Sequence, residues 1–409
     1  MTSARGKALL STPPPLVVAH FACKKDPYDA QSNPGGYINL GTAENYLLWD
    51  VLEEKLRSFG GITAQATHYD FPGGSLALRT GLAEFLRDQF HARREITPDS
   101  IIVGAGTSTL LDMISFALCE EGEGILIPAP YYSGFNADLR ARARVVPIPV
   151  PLSSTDGYEL SVSAFQQALA EARHSGIRVR AILLSSPNNP LGKVYSEPSL
   201  RALISFAKEN DLHCILDEIY AHSVYAESGP RFVSGLSFPP GDSRHVHFIY
   251  GFAKDFGLSG FKIGVFHSLD QELVAVMREL VYFSPVSTYT QALMTEMISD
   301  RKWVTRLLDL NRERLGRTYS WLQAQLRTEK IHALDAQAGF FLWLDLRDRL
   351  ESPTMASETR LWERVFKESR VSILPGSTFA SNEPGWFRLC FAHPEPLLSE
   401  AVRRLKLVL

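Results

Sequence analysis

The sequence lacks several features that mark specialised classes of protein. No uninterrupted apolar run approaches the roughly 20 residues of a membrane helix, and the best apolar stretches, such as 181–184 and 339–344, have the length of strands. The 42 Lys and Arg residues nearly balance the 45 Asp and Glu residues, so no global positive field favours nucleic acid. We therefore expect neither a membrane nor a nucleic acid among the partners of this protein.

Cysteine is also scarce. The four cysteines, Cys23, Cys119, Cys214 and Cys390, are far apart and form no Cys-x-x-Cys spacing. This pattern is typical of reduced, mostly buried thiols in a cytoplasmic protein, and it argues against a metal site such as zinc. Residues 1–16 contain a Ser-Thr-Pro-Pro-Pro run but no long apolar segment, which predicts an irregular arm and not a signal peptide.

The length and composition are typical of an enzyme with two domains. The 409 residues exceed the about 100–200 residues of an ordinary domain. A hydrophobic content of 45% and a charged content of 21% are ordinary for globular proteins, which excludes disorder as the main state. We predict an N-terminal arm over residues 1–44, a large domain over 45–285 and a small C-terminal domain over 286–409, with the arm packed on the small domain.

A regular alternation of strands and helices begins after Asp99. Short apolar runs predict strands, and apolar residues at helical spacing predict the helices around them. The predicted strands are 101–103, 125–127, 145–150, 179–184, 214–216, 247–250 and 263–266, and the predicted helices are 44–58, 107–119, 132–142, 162–173 and 198–210. Units of this length predict an α/β fold, with a mainly parallel sheet of the seven-stranded type and helices on both faces.

From about residue 270 the pattern changes to an α+β arrangement. The predicted helices are 270–283, 290–326, 358–369 and 395–408, and the predicted strands are 340–344, 371–374 and 386–392. This change supports the second, smaller domain.

Polar residues follow the ends of several predicted strands, where ligands bind in open α/β sheets. Strand 101–103 is followed by small residues, then by Ser108 and Thr109 in the first turn of a helix. Backbone N–H groups and hydroxyls at such a place suit a phosphate. The same pattern is also typical of an ordinary turn with a helix cap.

Three further strand ends carry candidate residues: Asn189 after strand 179–184, Asp217 and Tyr220 after strand 214–216, and Lys254 in the loop after strand 247–250. Each also fits a structural role, namely an Asn-Pro turn, a helix cap and a solvated lysine. Together with the phosphate seat they meet the needs of pyridoxal 5′-phosphate. In that arrangement the lysine forms a Schiff base, the Asp pairs with the ring nitrogen, and Asn and Tyr hold the ring oxygen.

The sequence resembles the fold-type I, class I and II aminotransferase superfamily, and within it the 1-aminocyclopropane-1-carboxylate (ACC) synthases and their ACC-synthase-like relatives. The resemblance covers nearly the whole chain. Its most specific stretches are 27–29 with 33–34, 41–45, 128–135, 189–192, 217–220, 254–260 and 385–388. It implies the aspartate aminotransferase-like fold of this superfamily.

The resemblance also implies a role for each cofactor-binding residue. Lys254 carries the Schiff base and moves protons, Asp217 pairs with the pyridine nitrogen, and Asn189 and Tyr220 bind the ring oxygen. Tyr132 stacks on the ring.

Further cofactor contacts follow from the resemblance, with departures from its usual pattern. Ser108 and Thr109 hold the phosphate, and Tyr131 is the second choice for the stacking residue. Lys262 stands where these enzymes usually have Arg, which keeps the positive charge but loses the planar fork. Gly251 stands where a Ser is frequent.

Two residues are expected to bind the substrate. The resemblance implies that Arg388 clamps the α-carboxylate, for which a planar bidentate donor is suited. Glu44 matches the glutamate beside the substrate site of ACC synthases, although a charge favoured by the dipole of a helix N-terminus is an alternative. Pro72 replaces the tyrosine that usually reaches the phosphate of the partner subunit, a place that Tyr69 is able to take.

The sequence leaves three hypotheses for the reaction. The first is a carbon–sulfur lyase that acts on S-adenosylmethionine or a cysteine S-conjugate, with Lys254 removing the Cα proton. The second is an aminotransferase that passes the amino group to a keto acid. The third is a degenerate relative that binds the cofactor without turnover. The resemblance further implies a homodimer with shared active sites, and the N-terminal arm and residues 69–75 are the candidates to cross over between the subunits.

Overall fold

The computed structural model describes residues 2–10, 15–60, 63–239 and 244–409. Its α-helices are α1 (Ala4–Ala8), α2 (Pro15–Lys25), α3 (Trp49–Ser58), α4 (Leu76–Gln89), α5 (Thr107–Leu118), α6 (Gly134–Arg140), α7 (Val162–His174), α8 (Glu197–Glu209), α9 (Gln271–Leu280), α10 (Thr288–Ser299), α11 (Arg301–Thr328), α12 (Met355–Arg364) and α13 (Glu395–Lys406). Its strands are β1 (Ile38–Asn39), β2 (Ile101–Gly104), β3 (Gly124–Ala129), β4 (Val146–Pro151), β5 (Val179–Ser185), β6 (His213–Asp217), β7 (Val246–Gly251), β8 (Gly264–His267), β9 (His332–Leu334), β10 (Phe341–Asp345), β11 (Val371–Ser372), β12 (Leu374–Pro375) and β13 (Trp386–Cys390).

The large sheet has seven strands in the order β2-β8-β7-β6-β5-β3-β4. Strand β8 is antiparallel to both of its neighbours, and all the other pairs are parallel. Gly264 therefore pairs with both Gly104 and Gly251, and Ser185 pairs with Asp217, at one edge of the sheet. We call this the carboxyl edge, and the edge at the other ends of these strands the opposite edge. The predicted α/β fold is confirmed.

Helices cover both faces of this sheet. Successive side chains of a strand point to opposite faces, and in the central strands both sets are apolar and have to be covered. In β5, Ala181 and Leu183 pack with α5, α6 and α9, whereas Ile182 and Leu184 pack with α7 and α8. All four side chains are at most 1% exposed. A strand that is apolar on both faces is typical of a parallel sheet between two layers of helices.

The C-terminal part contains a second, antiparallel sheet in the order β12-β13-β10-β9. The N-terminal segment joins this part of the molecule through a short parallel ladder, in which Ile38 pairs with Val371. Asp26 forms an ion pair with Arg370 beside this ladder. These contacts place residues 26–39 against the C-terminal part. The domain boundaries at residues 44–45 and 285–286 stay a prediction.

Two predicted helices have different bounds in the structure. The predicted helix 44–58 begins only at Trp49, because the backbone N–H of Tyr46 donates to the carbonyl of Ala392 in a distant segment. The predicted helix 290–326 is two helices. Asp300 ends α10 and caps α11, since its side chain accepts from the backbone N–H of Trp303.

Three other differences come from contacts that a local pattern does not carry. The predicted strand 371–374 is divided between β11 and β12, which belong to different sheets. Helix α4, which the sequence analysis did not predict, is held by apolar contacts with α10 and α11. Helix α1 lies where an irregular arm was expected, and residues 11–14 of that arm are outside the described residues. Among the helices that the structure describes, none combines the length and apolarity needed to cross a bilayer.

Candidate active site

The residues that the sequence analysis selected converge on one cavity at the carboxyl edge. It encloses about 230 Å³ between the large sheet, residues 41–44 and strand β13. The selected residues that line it are Glu44, Ser108, Tyr132, Asn189, Asp217, Tyr220, Lys254, Lys262 and Arg388. Folding therefore brings together groups that are remote from one another in the sequence.

The turn from β2 to α5 forms the part of the cavity that suits a phosphate. Gly106 has a φ of +91°, which favours glycine, and it directly precedes the first turn of α5. An added Cβ at Gly106 would lie 3.5 Å from Nζ of Lys262. The lysine amine therefore lies close to the positive end of the α5 dipole, and together they suit an anion.

The hydroxyl groups of this turn have different surroundings. Ser108 lines the cavity and bonds to the carboxyl of Asp138, and burial raises the pKa of Asp138 to about 7. The Thr109 hydroxyl donates to the carbonyl of Ala105 at 3.1 Å, and Thr109 is not among the lining residues. Thr107 lines the cavity, although the sequence analysis selected neither it nor Asp138. Residue type alone gave no signal that separates these hydroxyls.

Gly251 leaves the room that Thr107 needs. A Cβ at Gly251 would lie 2.9 Å from Cγ2 of Thr107 and 3.1 Å from the carbonyl of Ile263. A serine at this position would therefore require its neighbours to shift. This crowding is a physical reason for a glycine at position 251.

Asp217 ends strand β6 inside the cavity wall and is 5% exposed. Its Oδ1 has no hydrogen-bond partner among the described residues. Burial raises the pKa of Asp217 to about 7. A buried carboxyl oxygen without a partner is costly, so the site is suited to a ligand that brings a donor such as a pyridinium N–H.

Two more polar groups face the same space. Asn189 is 3% exposed, and its Oδ1 accepts from Nη1 of Arg388 at 2.9 Å. Tyr220 is 2% exposed, and burial raises the pKa of its phenol well above the usual range, so it is a neutral donor. An amide and a phenol at this place are able to bind a ligand oxygen.

Lys254 occupies the centre of the site, in the loop that follows β7. Its Nζ donates to the carbonyl of Ala43 at 2.5 Å, on the N-terminal segment. Burial lowers the pKa of Lys254 to about 8, so a fraction of the amine is neutral and nucleophilic near neutral pH. The alternative of a solvated surface lysine does not fit these surroundings.

Arg388 lies on β13 and is 2% exposed. Besides its contact with Asn189, its Nη2 donates to the carbonyl of Gly41 at 2.5 Å. Its Nε has no partner in the described parts of the chain. The guanidinium thus keeps a free N–H group beside the cavity, which suits a carboxylate.

Glu44 lines the cavity and not a helix terminus. Its Oε2 accepts from the hydroxyl of Tyr46 at 2.7 Å. Its negative charge raises the pKa of Lys254 and so opposes part of the effect of burial. Because α3 begins at Trp49, Glu44 lies outside the first turn of that helix. The alternative of a charge favoured by the helix dipole is therefore wrong.

The aromatic candidates differ in their position relative to the cavity. Tyr132 lines the cavity, and burial raises its pKa to about 12. Tyr131 instead donates to Asn136 at 3.0 Å and does not line the cavity. The side chain of Tyr69 is fully exposed, so it does not reach the cavity of its own chain. No cluster of His, Cys, Asp and Glu placed to hold a metal ion occurs in the described residues.

The chain is similar to known proteins over nearly its whole length. The family model described as aminotransferase class I and II matches residues 36–405. The 1-aminocyclopropane-1-carboxylate synthase 6 of Oryza sativa subsp. japonica is 34% identical, over 98% of this chain and 78% of its own. The 1-aminocyclopropane-1-carboxylate synthase 9 of Arabidopsis thaliana is 33% identical, over 94% of this chain and 85% of its own.

Solved structures show the same fold. Aspartate aminotransferase from Thermus thermophilus with maleate has a TM-score of 0.82 and 24% identity, over 100% of both chains. Aromatic aminotransferase from Pyrococcus horikoshii OT3 has a TM-score of 0.77 and 24% identity, over 95% of this chain and 98% of its own. The chain therefore belongs to the class I and II aminotransferase family, in the branch of the ACC synthases, and its cofactor is pyridoxal 5′-phosphate.

Proposed function

We propose that the chain is a pyridoxal-phosphate-dependent carbon–sulfur lyase whose substrate is an amino acid with a sulfur leaving group, S-adenosylmethionine first among them. The observation that supports this most is the position of Glu44 in the cavity of Lys254 and Arg388. A carboxylate at this place is complementary to the positive sulfonium of S-adenosylmethionine. The ACC synthase names of the relatives agree with this substrate.

The cavity fits the cofactor residue by residue. The first turn of α5 with Ser108 and Lys262 would hold the phosphate, and the unpartnered Oδ1 of Asp217 would accept from the ring nitrogen. Asn189 and Tyr220 would bind the ring oxygen. When it is bound, the cofactor supplies an electron-withdrawing ring that stabilises negative charge at the substrate Cα.

Three further residues complete the cofactor contacts in this proposal. Lys254 would bind the cofactor covalently, and Tyr132 would cover one face of the ring. Thr107 replaces Thr109 as the hydroxyl that faces the phosphate seat, because it is Thr107 that lines the cavity. Thr109 would support the turn through its hydrogen bond to Ala105.

The chain's own residues then act on the substrate. Arg388 binds the α-carboxylate, and its bond to Gly41 keeps the guanidinium oriented. The amine of Lys254, with its lowered pKa, takes the proton from Cα. Glu44 attracts the positive sulfonium of S-adenosylmethionine, whose sulfur takes the electron pair of the broken C–S bond and leaves as neutral methylthioadenosine. Burial of the site limits water and strengthens each of these interactions.

We also propose a homodimer with shared active sites. Tyr69, Tyr282 and Phe283 are large apolar side chains that are 104%, 67% and 81% exposed. The carbonyl of Ser284 accepts from the N–H of Ala105, which places residues 282–284 beside the phosphate seat. An apolar surface next to the cavity suits a second copy of the chain, whose Tyr69 would reach the phosphate.

The proposed location is the cytoplasm. The four cysteines are all free and buried, as is usual where thiols stay reduced.

The deciding experiment mixes cofactor-loaded protein with S-adenosylmethionine and detects methylthioadenosine by mass spectrometry. Release of methylthioadenosine is expected, and the four-carbon product distinguishes cyclisation from elimination. Glu44→Gln serves as the matched variant, because it keeps the shape of the side chain and removes its charge. It is expected to weaken the reaction with S-adenosylmethionine at least about tenfold, as for other close charge pairs in buried sites.

Other outcomes would contradict the proposal. No release of methylthioadenosine from protein with bound cofactor would exclude S-adenosylmethionine. Pyruvate from a cysteine S-conjugate would then indicate the other lyase substrate class. Turnover that depends on 2-oxoglutarate or pyruvate would identify an aminotransferase instead.

A further inference from the structure

Four polar side chains connect the loop of Lys254 to the segment of Glu44. They are Asn45, Ser223, Asp255 and Asn311, and the last three are 0% exposed. None of the four lines the cavity. We call this set the polar chain.

The hydrogen bonds of the polar chain all run in one direction. The backbone N–H of Leu47 donates to Oδ1 of Asn45 at 3.0 Å, which orients that amide. Nδ2 of Asn45 then donates to Oδ1 of Asn311 at 2.8 Å, and Nδ2 of Asn311 donates to the hydroxyl of Ser223 at 3.3 Å. The Ser223 hydroxyl donates to Oδ1 of Asp255 at 2.5 Å. Bonds aligned in this way strengthen one another in a buried site.

One end of the polar chain is anchored beside Lys254. The carboxyl of Asp255 also accepts from the backbone N–H of His222 at 3.0 Å and from the hydroxyl of Tyr250 at 3.1 Å. Because Asp255 directly follows Lys254, these bonds hold the loop that carries the lysine.

The other end adjoins the opposite wall of the cavity. Asn45 directly follows Glu44, and the carbonyl of Ala43 is the group to which Lys254 donates. The polar chain therefore joins the backbone on both sides of the contact between Lys254 and the N-terminal segment.

Asn311 is the central member, and its place in the fold is distinctive. It lies on α11, a helix of 28 residues. The first part of α11 packs in one apolar cluster through Leu307 and Leu308, and the later part packs in another through Leu315 and Leu322. Asn311 thus lies where the helix passes from the core beside the large sheet to the core of the C-terminal part.

We propose that Asn311 is a positioning residue that sets the placement of Glu44 relative to Lys254. This inference deepens the proposed function, because it rests on the substrate role of Glu44. An apolar side chain at position 311 would leave the amide of Asn45 and the hydroxyl of Ser223 short of partners in a buried site. The segment from Ala43 to Asn45 would then lose a tether. Glu44 would then lie less well placed against the positive charge of the substrate, so substrate binding would weaken.

The test compares Asn311→Ala with Thr318→Val in the cofactor-loaded enzyme. Thr318 lies two turns further along α11 and is 2% exposed, so its variant matches the loss of a buried polar group. We expect Asn311→Ala to raise the KM for the amino-acid substrate at least about tenfold, the scale of one lost polar contact to a charged group, with cofactor affinity within about twofold of the parent. Thr318→Val is expected to keep the parent KM.

Hydrogen exchange gives a second measurement that needs no substrate. Peptides that cover residues 43–48 should exchange at least about tenfold faster in Asn311→Ala than in Thr318→Val, since a tether of about 1.4 kcal/mol is lost. Equal exchange of these peptides in the two variants would overturn the proposal. So would a fall in kcat and stability with unchanged KM. This measurement still tests Asn311 if carbon–sulfur cleavage is not found, so the two proposals fail separately.

A double-mutant cycle completes the test. If Asn45 and Asn311 act through one bond, the exchange and KM effects of Asn45→Ala and Asn311→Ala are not additive. Additive effects would mean that the two residues act independently, and the polar chain would not be the connection.

Discussion

The two edges of the large sheet place polar groups in different surroundings, because the groups at the carboxyl edge face the cavity of about 230 Å³. Strand β6 has one polar residue at each edge: His213 begins the strand at the opposite edge, and Asp217 ends it at the carboxyl edge. At the opposite edge, Nδ1 of His213 pairs with Nε2 of His247 at 2.9 Å, and Nδ1 of His267 pairs with the Ser100 hydroxyl at 3.0 Å. At the carboxyl edge, Oδ1 of Asp217 faces a cavity and has no partner within the described chain.

This contrast shows that a perturbed pKa does not by itself mark a functional site. Burial lowers the pKa of His213 to about 4 and that of His267 to about 3 at the opposite edge. It lowers the pKa of Lys254 to about 8 and raises that of Asp217 to about 7 at the carboxyl edge. At the carboxyl edge Asp217 and Lys254 line the described cavity, so a ligand bound there is able to use these shifts.

The strongest test of the comparison removes the amine at the carboxyl edge. Lys254→Ala is expected to abolish the visible absorbance of the bound cofactor and to lower activity by at least about 10³-fold, because proton transfer by a positioned group contributes on this scale. Absorbance spectra and turnover assays measure the two effects. Lys193→Ala, which removes a lysine that pairs with Glu159 and does not line the cavity, is the control. Retained turnover in Lys254→Ala would refute the assignment.

The second test concerns Arg388 on β13, which is proposed to bind the α-carboxylate of the substrate. Arg388→Ala is expected to raise the substrate KM by about 10²-fold, the scale of a lost buried charge pair, with a much smaller effect on cofactor affinity. Steady-state kinetics and cofactor titration measure the two quantities. Equal losses of substrate and cofactor binding would show that the clamp is misplaced.

The third test sharpens the role of Lys262 at the phosphate seat. Lys262→Ala is expected to weaken cofactor binding about tenfold, as suits one charge-assisted contact to a phosphate. Lys262→Arg is expected to restore affinity, since the charge returns with a second donor. Equilibrium dialysis with pyridoxal phosphate measures both. Unchanged affinity in Lys262→Ala would mean that the first turn of α5 binds the phosphate without help from Lys262.

The smallest effect is expected at the opposite edge. The unfolded chain protonates His267 as the pH falls through about 6.5, whereas the folded chain does so only at about 3, so acid favours unfolding. His267→Asn removes this group. Between pH 6.5 and 5.5 the parent should lose about 1 kcal/mol of stability relative to the variant. Urea unfolding at the two pH values measures this, and a constant difference between parent and variant would contradict the stated cause.

Local sequence was informative where a site residue follows the end of a strand. Asp217 and Lys254 were predictable because apolar runs mark β6 and β7, and the ends of parallel strands share one edge. The resemblance to a known family added Arg388 and Glu44, which no strand pattern had indicated. Asp138 was not found, because nothing in the pattern of α6 distinguishes it from a solvated helix residue.

The amino-acid sequence alone was thus sufficient to predict the type of sheet, the candidate residues at its carboxyl edge and the family. These follow from local periodicity and from motifs within short stretches of chain. The packing of the chain was needed to show that Thr107 and not Thr109 lines the cavity, and that Asn311 connects Asn45 to Ser223. Such facts depend on distances between segments remote in sequence, and packing of the whole chain sets those distances.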